Sequence, residues 1–228
     1  MNIEIFRLIE GARHAEGLTV IIDVFRAFSM ECYLYAMGAR EIRPVGRMEE
    51  AFAWKAEDPD CILAGERHGK RMEGCELGNS PSSIRPGMIR EKRIIHTTSA
   101  GTQGIVNAVR AKEILAGSFV NAGAVAEYIR AQRPEKVSLV CMGKEGLEPA
   151  EEDELCAVYL KNLLTAGEMP GIDRELLRLR TGGGRHFFDP ALCEVFPEQD
   201  FWMCIARDRF GFVLKIEKDS RGYVTRKI

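Results

Sequence analysis

Asp23 and Arg26 stand three residues apart, directly after the apolar run Thr19–Ile22. At a strand-to-helix turn, a carboxylate and a guanidinium with that spacing can serve a metal ion and a phosphate together. Magnesium binds through one or two carboxylates and completes its shell with water and substrate phosphate. Arginine presents a planar fork to phosphate oxygens. The plainer alternative is a surface salt bridge near a helix start, and the pair alone does not separate the two.

A second cluster, Gly65-Glu66-Arg67-His68-Gly69-Lys70-Arg71, leads into Glu73 and Leu77-Gly78-Asn79-Ser80-Pro81. Its glycines permit close backbone approach to a ligand, and Ser80 or Ser82 can cap a following turn. A charge run by itself is usually a solvated face. The third cluster is Thr97-Thr98-Ser99-Ala100-Gly101-Thr102. Hydroxyls, a glycine and the free N–H groups of a helix start make an anion cradle. Capping needs one of those hydroxyls, so the excess favours function. A fourth cluster is Gly143-Lys144-Glu145-Gly146, followed by Glu151-Glu152-Asp153-Glu154. Acidic residues at a helix start complement the macrodipole, which accounts for that run without a ligand.

Several phosphate chemistries are excluded by spacing. Gly65–Lys70 is one residue short of a P-loop, and Arg71 stands where Ser or Thr is needed. Asp23 lacks a second aspartate two residues on, where Phe25 stands instead. Cys61 and Arg67 match the bare C-x5-R spacing of cysteine phosphatases, but Cys61 belongs to the apolar run Cys61-Ile62-Leu63-Ala64, which reads as core. His14, His68, His96 and His186 show no metal-ligand spacing.

Alternating elements would hold these clusters. β-rich runs occur at 2–8, 19–24, 41–45, 61–64, 93–96, 113–116 and 136–141, with helical patterns at 29–37, 48–55, 103–110, 121–133 and 150–164. Continuous apolar runs such as Val20-Ile21-Ile22 suit a sheet covered on both faces. The expectation is a three-layer α/β/α fold with a largely parallel or mixed sheet. Residues 65–87 break the rhythm as a long polar loop, a frequent home of function. Residues 171–179 and 197–207 read as helices. The runs 210–218 and 222–227 read as a C-terminal β-hairpin turning at Asp219-Ser220-Arg221. A single domain is expected, with residue 171 as the one place where a subdomain could begin.

Composition narrows the class. At 228 residues the chain can bury a substantial core, and a net charge of −2 argues against a nucleic-acid binder. No window approaches the ~20 apolar residues of a membrane span. The start lacks a signal-peptide pattern. Seven scattered cysteines without a CxxC pair argue against disulfides and structural zinc. A reduced cytoplasmic setting fits. Homo-oligomerisation is compatible with the sequence, which fixes no state.

Taken in order, the clusters resemble the 2-phosphosulfolactate phosphatase family of coenzyme M biosynthesis. The matching residues are Ile22–Ala27, Leu63–Arg67, Leu77–Pro81, Thr97–Thr102, Gly117–Ala122 and Glu152–Ala157, and the stretch from Pro197 to Ile216 fits in outline. The resemblance implies an α/β/α fold, magnesium dependence, and hydrolysis of 2-phosphosulfolactate to sulfolactate and phosphate. It assigns Asp23, Glu66 and Asp153 to the metal, and Asp23, Arg26, Glu66 and Arg67 to catalysis. It assigns Thr97, Thr98, Ser99, Gly101 and Thr102 to the substrate, with Asn79 and Ser80 lining the cleft. Lys70, Arg71 or Lys144 would meet a further acid group. The nucleophile would be an activated water or an enzyme group such as Asp23. The chain departs from the family pattern at Phe28, Ser29 and Met30, at Ala100 and at Val158. Those departures motivate two alternatives: a divergent phosphatase for another small acidic phosphoester, and a non-catalytic binder of such ligands.

Overall fold

Strands whose side chains alternate between two covered faces dictate the layers. The structure is a computed structural model that describes all residues, Met1–Ile228. It opens with β1 (Asn2–Arg7), α1 (Leu8–His14), β2 (Gly17–Ile22), α2 (Ala27–Ala36), β3 (Glu41–Pro44) and α3 (Met48–Glu57). β4 (Ile62–Arg67), β5 (Lys70–Arg71), β6 (Arg93–Thr97), α4 (Gly101–Asn107), β7 (Ala111–Gly117) and α5 (Ala122–Gln132) follow. The chain then runs through β8 (Lys136–Cys141), α6 (Glu151–Thr165), α7 (Ile172–Arg178), α8 (Glu198–Cys204), β9 (Leu214–Asp219) and β10 (Gly222–Lys227).

All ten strands join one sheet in the order β1-β8-β2-β7-β9-β10-β3-β6-β4-β5. Two parallel groups, β1-β8-β2-β7 and β3-β6-β4, are bridged by the antiparallel β9–β10 hairpin. The expected hairpin is therefore present, and it sits in the middle of the sheet.

Helices cover both faces, giving the expected α/β/α layering. On β2, Ile21 faces the core around α2, while Val20 and Ile22 face α5, α6 and α8. On β6, Ile94 joins the α2 core, while Ile95 joins a small cluster with Ala51 and Trp54 of α3. Both halves of the sheet thus contribute one face to a shared core about α2. That helix is apolar around most of its circumference because it is enclosed on all sides. Phe28 and Met30 belong to this core, so these two departures from the family pattern serve packing. Val158 is 39% exposed on the outside of α6, and Ala100 alone of the departures outside α2 lies beside the substrate-cradle residues.

Several boundaries differ from the sequence reading: β9 starts at Leu214 rather than at residue 210, and α4 ends at Asn107 rather than at residue 110. Leu8, expected to end a strand, adopts φ 64° and starts α1. The expected loop from residue 65 begins as strand: β4 carries on through Glu66 and Arg67 and turns back into β5. Chain polarity hid this extension, because charged residues at the end of a strand resemble a loop.

Candidate active site

In open α/β sheets, ligand sites form beyond the carboxyl ends of parallel strands. Asp23 follows β2, Glu66 lies near the end of β4, Thr97 ends β6 and Gly143 follows β8. Hydrogen bonds join the segments at these ends, Glu66 to Ser99 after β6 and Asp153 to Val24 after β2 and Gly143 after β8. Asp23, Glu66, Glu152 and Asp153 are all buried.

Asp23 sits at two helix starts. Its Oδ1 accepts the Ala27 N–H at 3.1 Å. Its Oδ2 lies against Gly101, where an added Cβ would stand 2.9 Å from it. Gly101 is thus required for close approach rather than for turn geometry. Burial pushes the Asp23 carboxyl up to about 6, against the Ala27 N–H that favours the charged form, and Glu66 adds to the rise.

Glu66 and Asp153 act on backbone. Glu66 Oε1 accepts the Ser99 N–H at 2.6 Å, and Oε2 accepts the Gly69 N–H at 2.8 Å. Glu66 therefore joins the Gly65–Arg71 segment to the Thr97–Thr102 loop. Asp153 Oδ1 accepts the Val24 N–H at 2.8 Å, and Oδ2 accepts the Gly143 N–H at 2.7 Å. It joins α6 to the strand ends of β2 and β8. Burial raises the Asp153 carboxyl, and the Asp23 and Glu152 charges raise it further.

Glu152 differs. Its Oε2 is buried with no hydrogen-bond partner. Burial pushes this carboxyl up to about 7, with Asp23 raising it as well. In the sequence a metal-ligand role for Glu152 or Asp153 competes with plain helix-start stabilisation. Helical phase is the signal that separates the two: Glu152 and Asp153 turn inward while Glu151 is exposed.

The remaining expected residues differ in what they touch. Arg67 Nη1 donates to Glu66 O at 2.7 Å, and Nη2 donates to Thr97 Oγ1 at 3.0 Å, so Arg67 lies over the cradle. Thr98 and Thr102 cap each other, with the Thr98 N–H donating to Thr102 Oγ1 at 2.9 Å and the Thr102 N–H to Thr98 Oγ1 at 3.0 Å. Their hydroxyls hold the loop; the excess of hydroxyls noted in the sequence is partly structural. Asn79 is buried behind the cleft, its Oδ1 3.2 Å from His96 Nε2, and His96 Nδ1 is 2.8 Å from Glu31 Oε1. Ser80 lies 3.3 Å from Ser82 through their hydroxyls. Lys70 and Lys144 are exposed. Between their loops, His68 Nδ1 lies 2.7 Å from Glu145 Oε1.

Arg26 is nearly enclosed, at 3% exposure, and paired with the fully buried Asp200. Asp200 and His186 were not singled out as site residues in the sequence. His186 packs against Phe187 and Phe196, with centroids at 4.3 and 4.5 Å, and Arg26 lies over the same two rings. Burial lowers the His186 ring to about 4, and the Arg26 charge lowers it further.

No three His, Cys, Asp or Glu side chains meet as a ready metal-ligand set. The buried Asp23 and Glu152 carboxyls, with the unpartnered Glu152 oxygen, nevertheless fit one hydrated divalent cation. Magnesium needs few protein ligands. Six of the seven cysteines are buried, and burial raises the Cys61 thiol, contrary to what a thiolate nucleophile requires.

The family model described as 2-phosphosulpholactate phosphatase matches residues 4–181. A probable 2-phosphosulfolactate phosphatase of Caldanaerobacter subterraneus is 37% identical over 215 residues, covering 89% of this chain and 88% of that protein. One from Deinococcus radiodurans is 33% identical over 174 residues, covering 75% of this chain and 72% of its own length. One from Bacillus subtilis is 27% identical over 216 residues, covering 92% and 93% respectively.

Proposed function

We propose the following for this chain, which belongs to the 2-phosphosulfolactate phosphatase family and is thereby a phosphoric monoester hydrolase: it converts 2-phosphosulfolactate and water to sulfolactate and phosphate in a magnesium-dependent reaction. The observation that carries this reading is the buried group Asp23, Glu66, Glu152 and Asp153, with one oxygen unpartnered, beside Arg67 and the Thr97–Thr102 loop.

Asp23 and Glu152 would hold the cation, while Glu66 and Asp153 fix the backbone around it. When bound, magnesium supplies positive charge to the phosphoryl oxygens. Arg67 and Arg26 neutralise the charge that spreads over the transferring group, since phosphoryl transfer depends on positioning and electrostatics. Ser99 and Gly101 provide the close edge of the cradle, which Glu66 keeps in place. The ester P–O bond breaks, a water oxygen replaces it on phosphorus, and the alkoxide of sulfolactate takes up a proton. Lys70 and Lys144, exposed at the rim, would meet the carboxylate or sulfonate.

A reduced cytoplasmic setting and a place in coenzyme M biosynthesis belong to the same proposal, the first supported by seven unpaired thiols. Ala100, buried beside the cradle, favours a second reading: the same reaction on another small acidic phosphoester. Phosphate release from 2-phosphosulfolactate and a panel of carboxylated and plain phosphoesters, with and without magnesium, tests both. Fastest release from a non-sulfonated compound selects the second.

A further inference from the structure

The Arg26 guanidinium is held by a segment lying beyond the residues that the family model matches. Nη1 donates to Asp200 Oδ2 at 2.7 Å and to Val195 O at 2.9 Å, and Nη2 donates to Gly69 O at 3.0 Å. Phe196 lies against the guanidinium, 4.8 Å from centroid to Cζ. Asp200 Oδ1 also accepts the Ser82 N–H at 2.9 Å. One carboxylate thus connects α8, the turn after Asn79-Ser80, and the arginine three residues after Asp23.

An ion pair this deep is a poor stabiliser. Desolvation offsets its attraction, and apolar side chains of similar volume do as well or better. Apolar surroundings are already present: Phe25, Phe187, Phe196 and Phe201 pack together here. The hydrogen bonds fix the plane of the guanidinium and leave Nε and one N–H of Nη2 without a protein acceptor.

We propose that Asp200 is a positioning residue, holding Arg26 so that its two unused N–H groups meet the anionic substrate. The C-terminal segment around Val195–Asp200 is then part of the active site. This rests on the reading of Arg26 as a phosphoester-binding residue.

The test compares Asp200→Asn, Arg26→Ala and the double variant by phosphate release from 2-phosphosulfolactate, and by competitive inhibition with inorganic phosphate. In Asp200→Asn the introduced amide oxygen can still accept the Ser82 N–H, but the new NH2 group faces Arg26 donor to donor. Asp200→Asn is expected to stay folded by circular dichroism and to lose about a hundredfold in kcat/KM, the scale of a misplaced binding group. The phosphate inhibition constant should rise with it, which a merely structural staple would not cause in folded protein. The double variant should be no worse than Arg26→Ala, as for residues acting in one unit. Wild-type turnover by Asp200→Asn beside a crippled Arg26→Ala overturns the inference and leaves the reading of Arg26 intact. Additive losses also overturn it. Wild-type turnover by Arg26→Ala overturns both. Should Asp200→Asn fail to fold, Arg26→Lys replaces it: lysine keeps the charge but cannot span Asp200, Val195 and Gly69. A comparable loss supports the inference, and wild-type activity overturns it.

Discussion

Glu66 and Ser99 are joined twice: the Ser99 N–H donates to Oε1 at 2.6 Å, and its hydroxyl donates to Oε2 at 3.3 Å. The second oxygen also takes the Gly69 N–H. An isosteric amide accepts through one end only. Glu66→Gln is therefore expected to leave one backbone N–H unpaired, destabilising the protein by about 2 kcal/mol. Its kcat/KM should fall as well, because the cradle edge loosens. Chemical denaturation alongside phosphate release checks both effects. An unchanged denaturation midpoint would remove Glu66 from its backbone role.

Stability should depend on pH in the direction set by Asp23 and Glu152. Both folded carboxyls are raised, to about 6 and about 7, by burial first and then by a neighbouring carboxylate, Glu66 for Asp23 and Asp23 for Glu152. Above the usual carboxyl range near 4, the folded state binds more protons than the unfolded chain. The stability these groups contribute is thus fully present below about pH 4 and lost as pH rises through 6 to 7. Thermal melts without divalent cation should show this loss between pH 5 and 7.5, after correction for other groups with a Glu152→Gln control. Magnesium should reduce it. A metal-free curve that rises steadily over that range would contradict the arrangement.

The layering and the four polar clusters were legible because they depend on local pattern. Apolar runs such as Val20-Ile21-Ile22 reveal a doubly covered sheet, and strand ends reveal where polar residues gather. The position of β9–β10 was hidden, since alternation shows that a hairpin forms and not which strands flank it. The nearness of Asp23 to Glu66, which lie in different halves of the sheet, is likewise a tertiary property. Asp200 was hidden because one aspartate in a polar helix start looks solvated; only its packing against Arg26 shows otherwise. The hydroxyls of Thr98 and Thr102 looked like ligand donors because sequence does not show that they cap each other.

His186 should remain neutral well below the usual histidine range. Burial lowers its ring to about 4, and Arg26 contributes through its charge. The associated stability is present above about 6.5 and is lost as pH falls toward 4. NMR titration of the ring should find this low value, and Arg26→Ala should raise it. No change in the variant would show that the two side chains do not share the Phe187–Phe196 surface in solution.

Thiol chemistry should be silent in turnover. Cys193 is the exposed cysteine, whereas Cys61, with the C-x5-R spacing to Arg67, is buried. Iodoacetamide is expected to label Cys193 on the native protein with activity unchanged, read by mass spectrometry and phosphate release. Rapid labelling of Cys61 with matching inactivation would restore the cysteine-phosphatase reading.

The most direct test is phosphate release from racemic 2-phosphosulfolactate, measured with added magnesium and again after chelation. The expected result is magnesium-dependent release, fastest on this substrate among the phosphoester panel, and reduced by a hundredfold or so in Asp23→Asn, the scale for losing a preorganised electrostatic group. No release from any phosphoester by a folded, magnesium-supplied protein, or wild-type rates from Asp23→Asn, would contradict the central claim.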